Sequence, residues 1–158
     1  MNTHSLSLEE IDALRARLRE IAALIARQEA RHGELRQLQL DQIGIALRHG
    51  ANVSQAARES GLSRYWLLQA VPRLPQSPDV LPDPAIRDGA IVRIREIRTE
   101  LETVIAPALL EGRADRDEII RALAPAMGRS RLPQQDVAAD GGISSEWIRR
   151  LLKEQPKG

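Results

Sequence analysis

The basic side chains of this 158-residue chain are almost all guanidinium groups, since lysine occurs only at Lys153 and Lys157. Cysteine is absent, which excludes disulfides, thiolate zinc sites and thiol catalysis. His4, His32 and His49 show no ligand spacing and read as surface residues. Asp117-Glu118 reads as acids at a helix start, where they complement the dipole, and not as a catalytic pair. No glycine-rich phosphate loop and no nucleophile–base arrangement occurs. An enzyme is therefore not expected, and neither is a cofactor or a metal.

The informative spacing lies in two stretches. The first runs Ala57-Arg58-Glu59-Ser60-Gly61-Leu62-Ser63-Arg64-Tyr65-Trp66-Leu67, and the second Ala138-Ala139-Asp140-Gly141-Gly142-Ile143-Ser144-Ser145-Glu146-Trp147-Ile148. Alanine, glycine, an aliphatic residue, serine, tryptophan and a second aliphatic residue coincide at a constant offset of 81 residues. The pattern is that of a tight helical corner. Ala57 and Ala138 stand where two helices would cross too closely for a larger side chain. Gly61 and Gly142 suit a chain leaving a helix in the left-handed region. Leu62 and Ile143 would fill the angle, and Ser63 and Ser144 would cap the next helix. Leu67 with Ala70, and Ile148 with Leu151, would point inward. Trp66 and Trp147 are expected as core or hairpin-packing residues in preference to base-stacking ones.

These residues resemble the helix-turn-helix superfamily of DNA-binding proteins. Val53-Ser54-Gln55 through Val71 is similar, more narrowly, to short actinobacterial proteins that join a charged helix to such a motif. The resemblance covers about twenty residues of each copy and implies a helix entering the major groove after each serine. In the first copy the implied DNA-binding residues are Ser63, Arg64, Tyr65, Leu68 and Gln69, with Arg64 suited to guanine and Gln69 to adenine. Ser54 and Gln55 would meet phosphates, and Arg58 and Arg73 would add charge. In the second copy they are Gln135, Ser144, Ser145, Glu146, Arg149, Arg150 and Lys153. Glu146 departs from the pattern and, with Asp136 and Asp140, makes this copy less basic, so a protein partner there is an open alternative.

The elements that must position these motifs are helical. The chain contains no phenylalanine and draws its apolar content from Leu, Ile, Val and Ala, which suits packed helices. Ser7 and Glu10 have capping-box spacing, and Ile11, Leu14, Leu18, Ile21 and Ile25 form a heptad seam. A stop is expected at His32-Gly33, then a second helix carrying Leu35, Leu38, Ile43 and Leu47 to His49-Gly50. Five prolines between Pro72 and Pro84 suggest a stiff, extended linker. After it Ile94, Ile97, Leu101 and Val104 repeat the seam, Glu111-Gly112-Arg113 breaks it, Asp115 and Glu118 offer a second cap, and Pro125 and Gly128 limit that helix. The expected fold is all-α: two diverged copies of a helical hairpin followed by a helix-turn-helix, in residues 1–71 and 85–158, joined by a linker at 72–84.

Net charge is +1, which by itself argues little for a polyanionic partner. No apolar run approaches the roughly 18 residues that span a bilayer. The polar N-terminus lacks the basic start and apolar stretch of a signal peptide, so a cytoplasmic, nucleoid-associated location is expected. The expected partner is duplex DNA, bound by a transcriptional regulator on adjacent half-sites. The heptad helices admit either an intrachain hairpin or a homodimer. Rival readings are a protein-interaction adaptor and a phage or plasmid DNA-handling protein serving packaging, excision or partition.

Overall fold

The computed structural model of the chain describes residues 5–73, 81–128 and 131–154, and every regular element among them is a helix. Helix α1 (Leu8–Arg48) opens with the reciprocal cap that its sequence encodes. The Glu10 amide donates to the Ser7 hydroxyl at 3.1 Å, and the Ser7 amide donates to the Glu10 carboxylate at 2.8 Å.

The helix does not stop at His32-Gly33. Gly33 is exposed, with nothing within 4 Å of where a Cβ would stand, so it neither crowds nor contacts a neighbour. An interior glycine costs a helix about 1 kcal/mol relative to alanine. Ile25 and Leu35, buried on either side, outweigh that at roughly 1.5–3 kcal/mol each.

Two short helices follow, α2 (Val53–Ser60) and α3 (Arg64–Ala70), and then a 3-10 turn (Val71–Arg73). Of the expected linker, residues 74–80 lie outside the described residues. At its two ends Pro72 belongs to the 3-10 turn, and Pro84 is the first residue of helix α4 (Pro84–Glu100), capped by Asp83.

Helix α4 continues without interruption through a π-helical turn (Leu101–Ile105) into α5 (Ala106–Gly128). In that turn the Ala106 amide reaches back five residues to the Leu101 carbonyl. Pro107 has no amide to give the Thr103 carbonyl, and the Thr103 hydroxyl donates to the Thr99 carbonyl at 2.6 Å, so regular pairing is disturbed from both sides. The wider turn moves the buried position on from Val104, which is 54% exposed, to Ile105. The break expected at Glu111-Gly112-Arg113 is also absent. A Cβ on Gly112 would stand 3.0 Å from Cγ1 of Ile25, so this glycine serves a close approach of two helices. Asp115 and Glu118 consequently lie inside α5, and Pro125 is tolerated in its last turn. Helices α6 (Gln134–Gly141) and α7 (Ser145–Lys153) complete the chain.

The chain divides into two compact units, Met1–Gln28 with Ala108–Gly158, and Glu29–Pro107. These differ from the halves expected on either side of the proline-rich stretch. In the first unit, Ile11 and Leu18 of α1 share a core with Ile120 and Leu123 of α5 and with Val137, Ala138, Ile148 and Leu151 of α6 and α7. In the second, Ile43 and Ala46 of α1 share one with Ala90, Ile91 and Ile94 of α4 and with Ala56 and Leu67 of α2 and α3. The long segments run antiparallel in each: Leu6 meets Arg131 while Ile25 faces Gly112, and His49 meets Asp83 while Arg31 meets Glu100. The heptad seam is thus filled from within the chain. Each short-helix pair rests on a long helix from the other half of the sequence. The expected hairpins fail because helices that pass through Gly33 and Gly112 cannot fold back there.

Candidate functional site

The two short-helix corners are built alike. Asn52 opens α2, its side-chain oxygen accepting from the Gln55 amide at 2.8 Å. This cap escaped the sequence reading, although asparagine two residues before Ser54 is a recognisable signal. Gly61, at φ 76°, ends α2 in the left-handed region and passes its amide to the Ala57 carbonyl. The Ser63 hydroxyl then accepts from the Trp66 amide at 3.0 Å and starts α3. In the second corner Gly142, at φ 64°, ends α6, and the Ser144 hydroxyl accepts from the Trp147 amide at 3.1 Å to start α7. Pro133 precedes α6 and supplies no side-chain cap.

Leu67, Ile148 and Leu151 point inward as expected, whereas Ala70 is only half-buried and one alanine position shifts. Leu62 and Ile143 pack against the two cores. Ala138 is buried, but in the first corner the fully buried alanine is Ala56 and Ala57 is half-buried. The crossing face there is centred one residue earlier. A buried amide steadies this corner: Gln39 donates to the Ser60 carbonyl at 3.2 Å and accepts from Arg36 at 2.6 Å. Burial pushes the Arg36 guanidinium below its ordinary value.

An acidic residue ties each corner to a long helix. Glu59 accepts from Nε and Nη2 of Arg95, at 2.5 and 3.2 Å, and that contact holds its carboxyl below the usual glutamate range. Asp140, at the equivalent position, accepts from Arg15 at 2.6 Å and Arg19 at 3.3 Å, and its side chain is only 9% exposed. The hydrogen bond from Arg15 raises that guanidinium above its ordinary value. Both carboxylates are therefore turned away from the outer face and neutralised. The acidity read into the second copy overcounts Asp140.

The outer faces carry most of the residues singled out in the sequence. Ser63, Arg64, Tyr65, Leu68 and Gln69 are exposed on and before α3, as are Ser54 and Arg58 on α2, while Gln55 is half-buried. The side chain of Arg73 lies outside the described structure. On α7, Glu146, Arg149, Arg150 and Lys153 are exposed, as are Ser144 before it and Gln135 on α6, and Ser145 is half-buried. Glu146 pairs with Arg150 at 3.1 Å along the helix, so its charge is partly answered in place. Arg64 and Arg149 have no ion-pair partner among the described residues.

The tryptophans overturn their expected role. Trp66 and Trp147 are each 42% exposed and belong to neither core, because one step before Leu67 and Ile148 a helix has turned about 100° from the buried direction. His49 is the reverse case: it is buried, and its Nδ1 accepts from the Asp83 amide at 3.0 Å. Asp117 lies within α5 beside Arg116 at 3.3 Å and opens no helix. Among the described residues no three His, Asp or Glu side chains gather at metal-binding distance, and no helix is long and apolar enough to cross a membrane. Comparison with known proteins gives no match, whether to family models, to characterised proteins or to solved structures.

Proposed function

We propose that this protein binds double-stranded DNA through two helix-turn-helix motifs, α2–α3 and α6–α7, and regulates transcription at the nucleoid. One observation carries the reading: α3 and α7 are each held by a capping serine, a left-handed glycine and buried aliphatic residues (Leu67 in α3, Ile148 and Leu151 in α7), with Arg64 and Gln69, and Arg149, Arg150 and Lys153, left exposed. A helix so anchored can enter a major groove without rearrangement of the core. Arg64 then addresses guanine, and Gln69 addresses adenine. Arg149, Arg150 and Lys153 neutralise phosphate, while Ser54, Gln55, Arg58 and Gln135 steady the backbone. The inward pairing of Asp140 supports DNA over a protein partner at the second motif.

The chain reports on itself, because its only two tryptophans stand on α3 and α7. Trp66→Phe and Trp147→Phe each leave one emitter. Titration with duplex should shift both, and affinity should fall with salt at a slope of about −0.9 per neutralised phosphate. Arg149→Ala should reduce that slope by about one contact, and Arg64→Ala should relax sequence choice. Absence of salt-dependent binding to both random and selected duplexes would falsify the reading.

A further inference from the structure

The outer face of α3 is more apolar than a phosphate-binding helix requires. With Leu67 buried, helical geometry at about 100° per residue sets Tyr65 and Gln69 opposite it and Trp66 and Leu68 on the two flanks, and all four, with Arg64 at the helix start, are exposed. Tyr65 is 76% exposed and Leu68 is 49% exposed, between a guanidinium and a carboxamide. No carboxylate occurs from Ser60 to Arg73, and Glu59 just before them is paired to Arg95. At the equivalent positions α7 presents Ser145, Glu146, Arg149 and Arg150, with no aliphatic residue.

An exposed leucine beside a glutamine matches one kind of base edge. An A·T pair offers the N6 and N7 of adenine to a carboxamide and the 5-methyl group of thymine to an aliphatic side chain. A protein partner fits less well. A seven-residue helix about 10 Å long and about 10 Å wide presents a face on the order of 100 Å², far short of the roughly 800 Å² that each side of a stable protein interface buries.

We infer that the first motif selects an A·T pair next to the guanine addressed by Arg64, with Leu68 packing on the thymine 5-methyl group beside Gln69 on adenine, and that the second motif makes no such contact. This rests on the proposed DNA binding.

The test uses the full chain and duplexes selected from a random pool, resynthesised with deoxyuridine in place of thymidine. Each methyl lost from the contact should weaken binding about fourfold. Leu68→Asn should abolish the preference, binding both duplexes equally, while Arg149→Ala should retain it at lower affinity. Equal binding of the two duplexes by the unaltered protein, with its salt dependence intact, overturns the thymine contact and leaves DNA binding standing. A preference that survives in Leu68→Asn also overturns it, by assigning the methyl to another residue. No salt-dependent binding to any duplex removes both proposals and turns the α3 face towards a protein partner.

Discussion

The two corners share a backbone and differ in what they show to solvent. Both leave the first short helix through a left-handed glycine, start the second with a serine cap and sink aliphatic side chains into a core, Leu67 in one and Ile148 with Leu151 in the other. Outward, α3 carries one cation with apolar neighbours, whereas α7 carries three cations and an ion-paired glutamate. A few inward and capping residues therefore specify the corner, which leaves its outer face free to diverge. The difference also separates the carboxylates by role, since Glu59 and Asp140 hold the corner to a long helix while Glu146 lies on the outer face.

The strongest way to break the comparison is at the anchors. Leu67→Ala and Ile148→Ala should each cost about 2–5 kcal/mol in urea denaturation, as buried aliphatic truncations do. Hydrogen exchange should show the first loss within residues 29–107 for Leu67→Ala, and in the unit holding α6 and α7 for Ile148→Ala. Equal loss in both units from either variant would mean that the anchors are not local.

Removing the acidic tethers should have a smaller and unequal effect. Asp140→Asn leaves Arg15 and Arg19 without their carboxylate and should cost roughly 1–3 kcal/mol. Glu59→Gln, whose site and partner are more exposed, should cost less. A larger loss at Glu59 would reverse the ranking of the two tethers.

The turn glycines sharpen the contrast further. Alanine in the left-handed region costs about 1–2 kcal/mol, so Gly61→Ala and Gly142→Ala should both lower the melting temperature. Gly61→Ala should be the worse, because its Cβ would stand 3.0 Å from Nε of Arg98, against 4.0 Å from Cβ of Ala22 at Gly142. Equal losses would show that Arg98 yields without cost.

The smallest expected effect is a pH dependence in the second unit. Arg95 holds the Glu59 carboxyl below its ordinary value, so its stabilisation is complete above the ordinary glutamate range. It is lost as pH falls through the lowered value. Melting curves below roughly pH 4 should therefore fall less steeply for Glu59→Gln than for the unaltered chain.

Much of the corner was legible because its signals are local. A serine cap reaches its own third residue, a glycine sets its own φ, and Ser7 with Glu10 satisfy one another within one turn. Structure and sequence part where a local signal competes with packing. Gly33 and Gly112 both read as stops, yet one sits harmlessly on an exposed face and the other lets Ile25 come close. Val104 fits the heptad, but a π-helical turn buries Ile105 instead. Trp66 and Trp147 are apolar enough for a core, and one residue of helical phase keeps them out.

From the sequence alone follow the all-helical class and the glycines, serine caps and aliphatic anchors of the two corners, since each depends on neighbours a few positions apart. Tertiary structure alone decided that both long helices run unbroken, that Asp140 turns inward to Arg15 and Arg19, and that each corner rests on a helix from the other half. Such outcomes depend on contacts between residues far apart in the chain, whose burial and charge pairing outweigh the roughly 1 kcal/mol preferences of single residues.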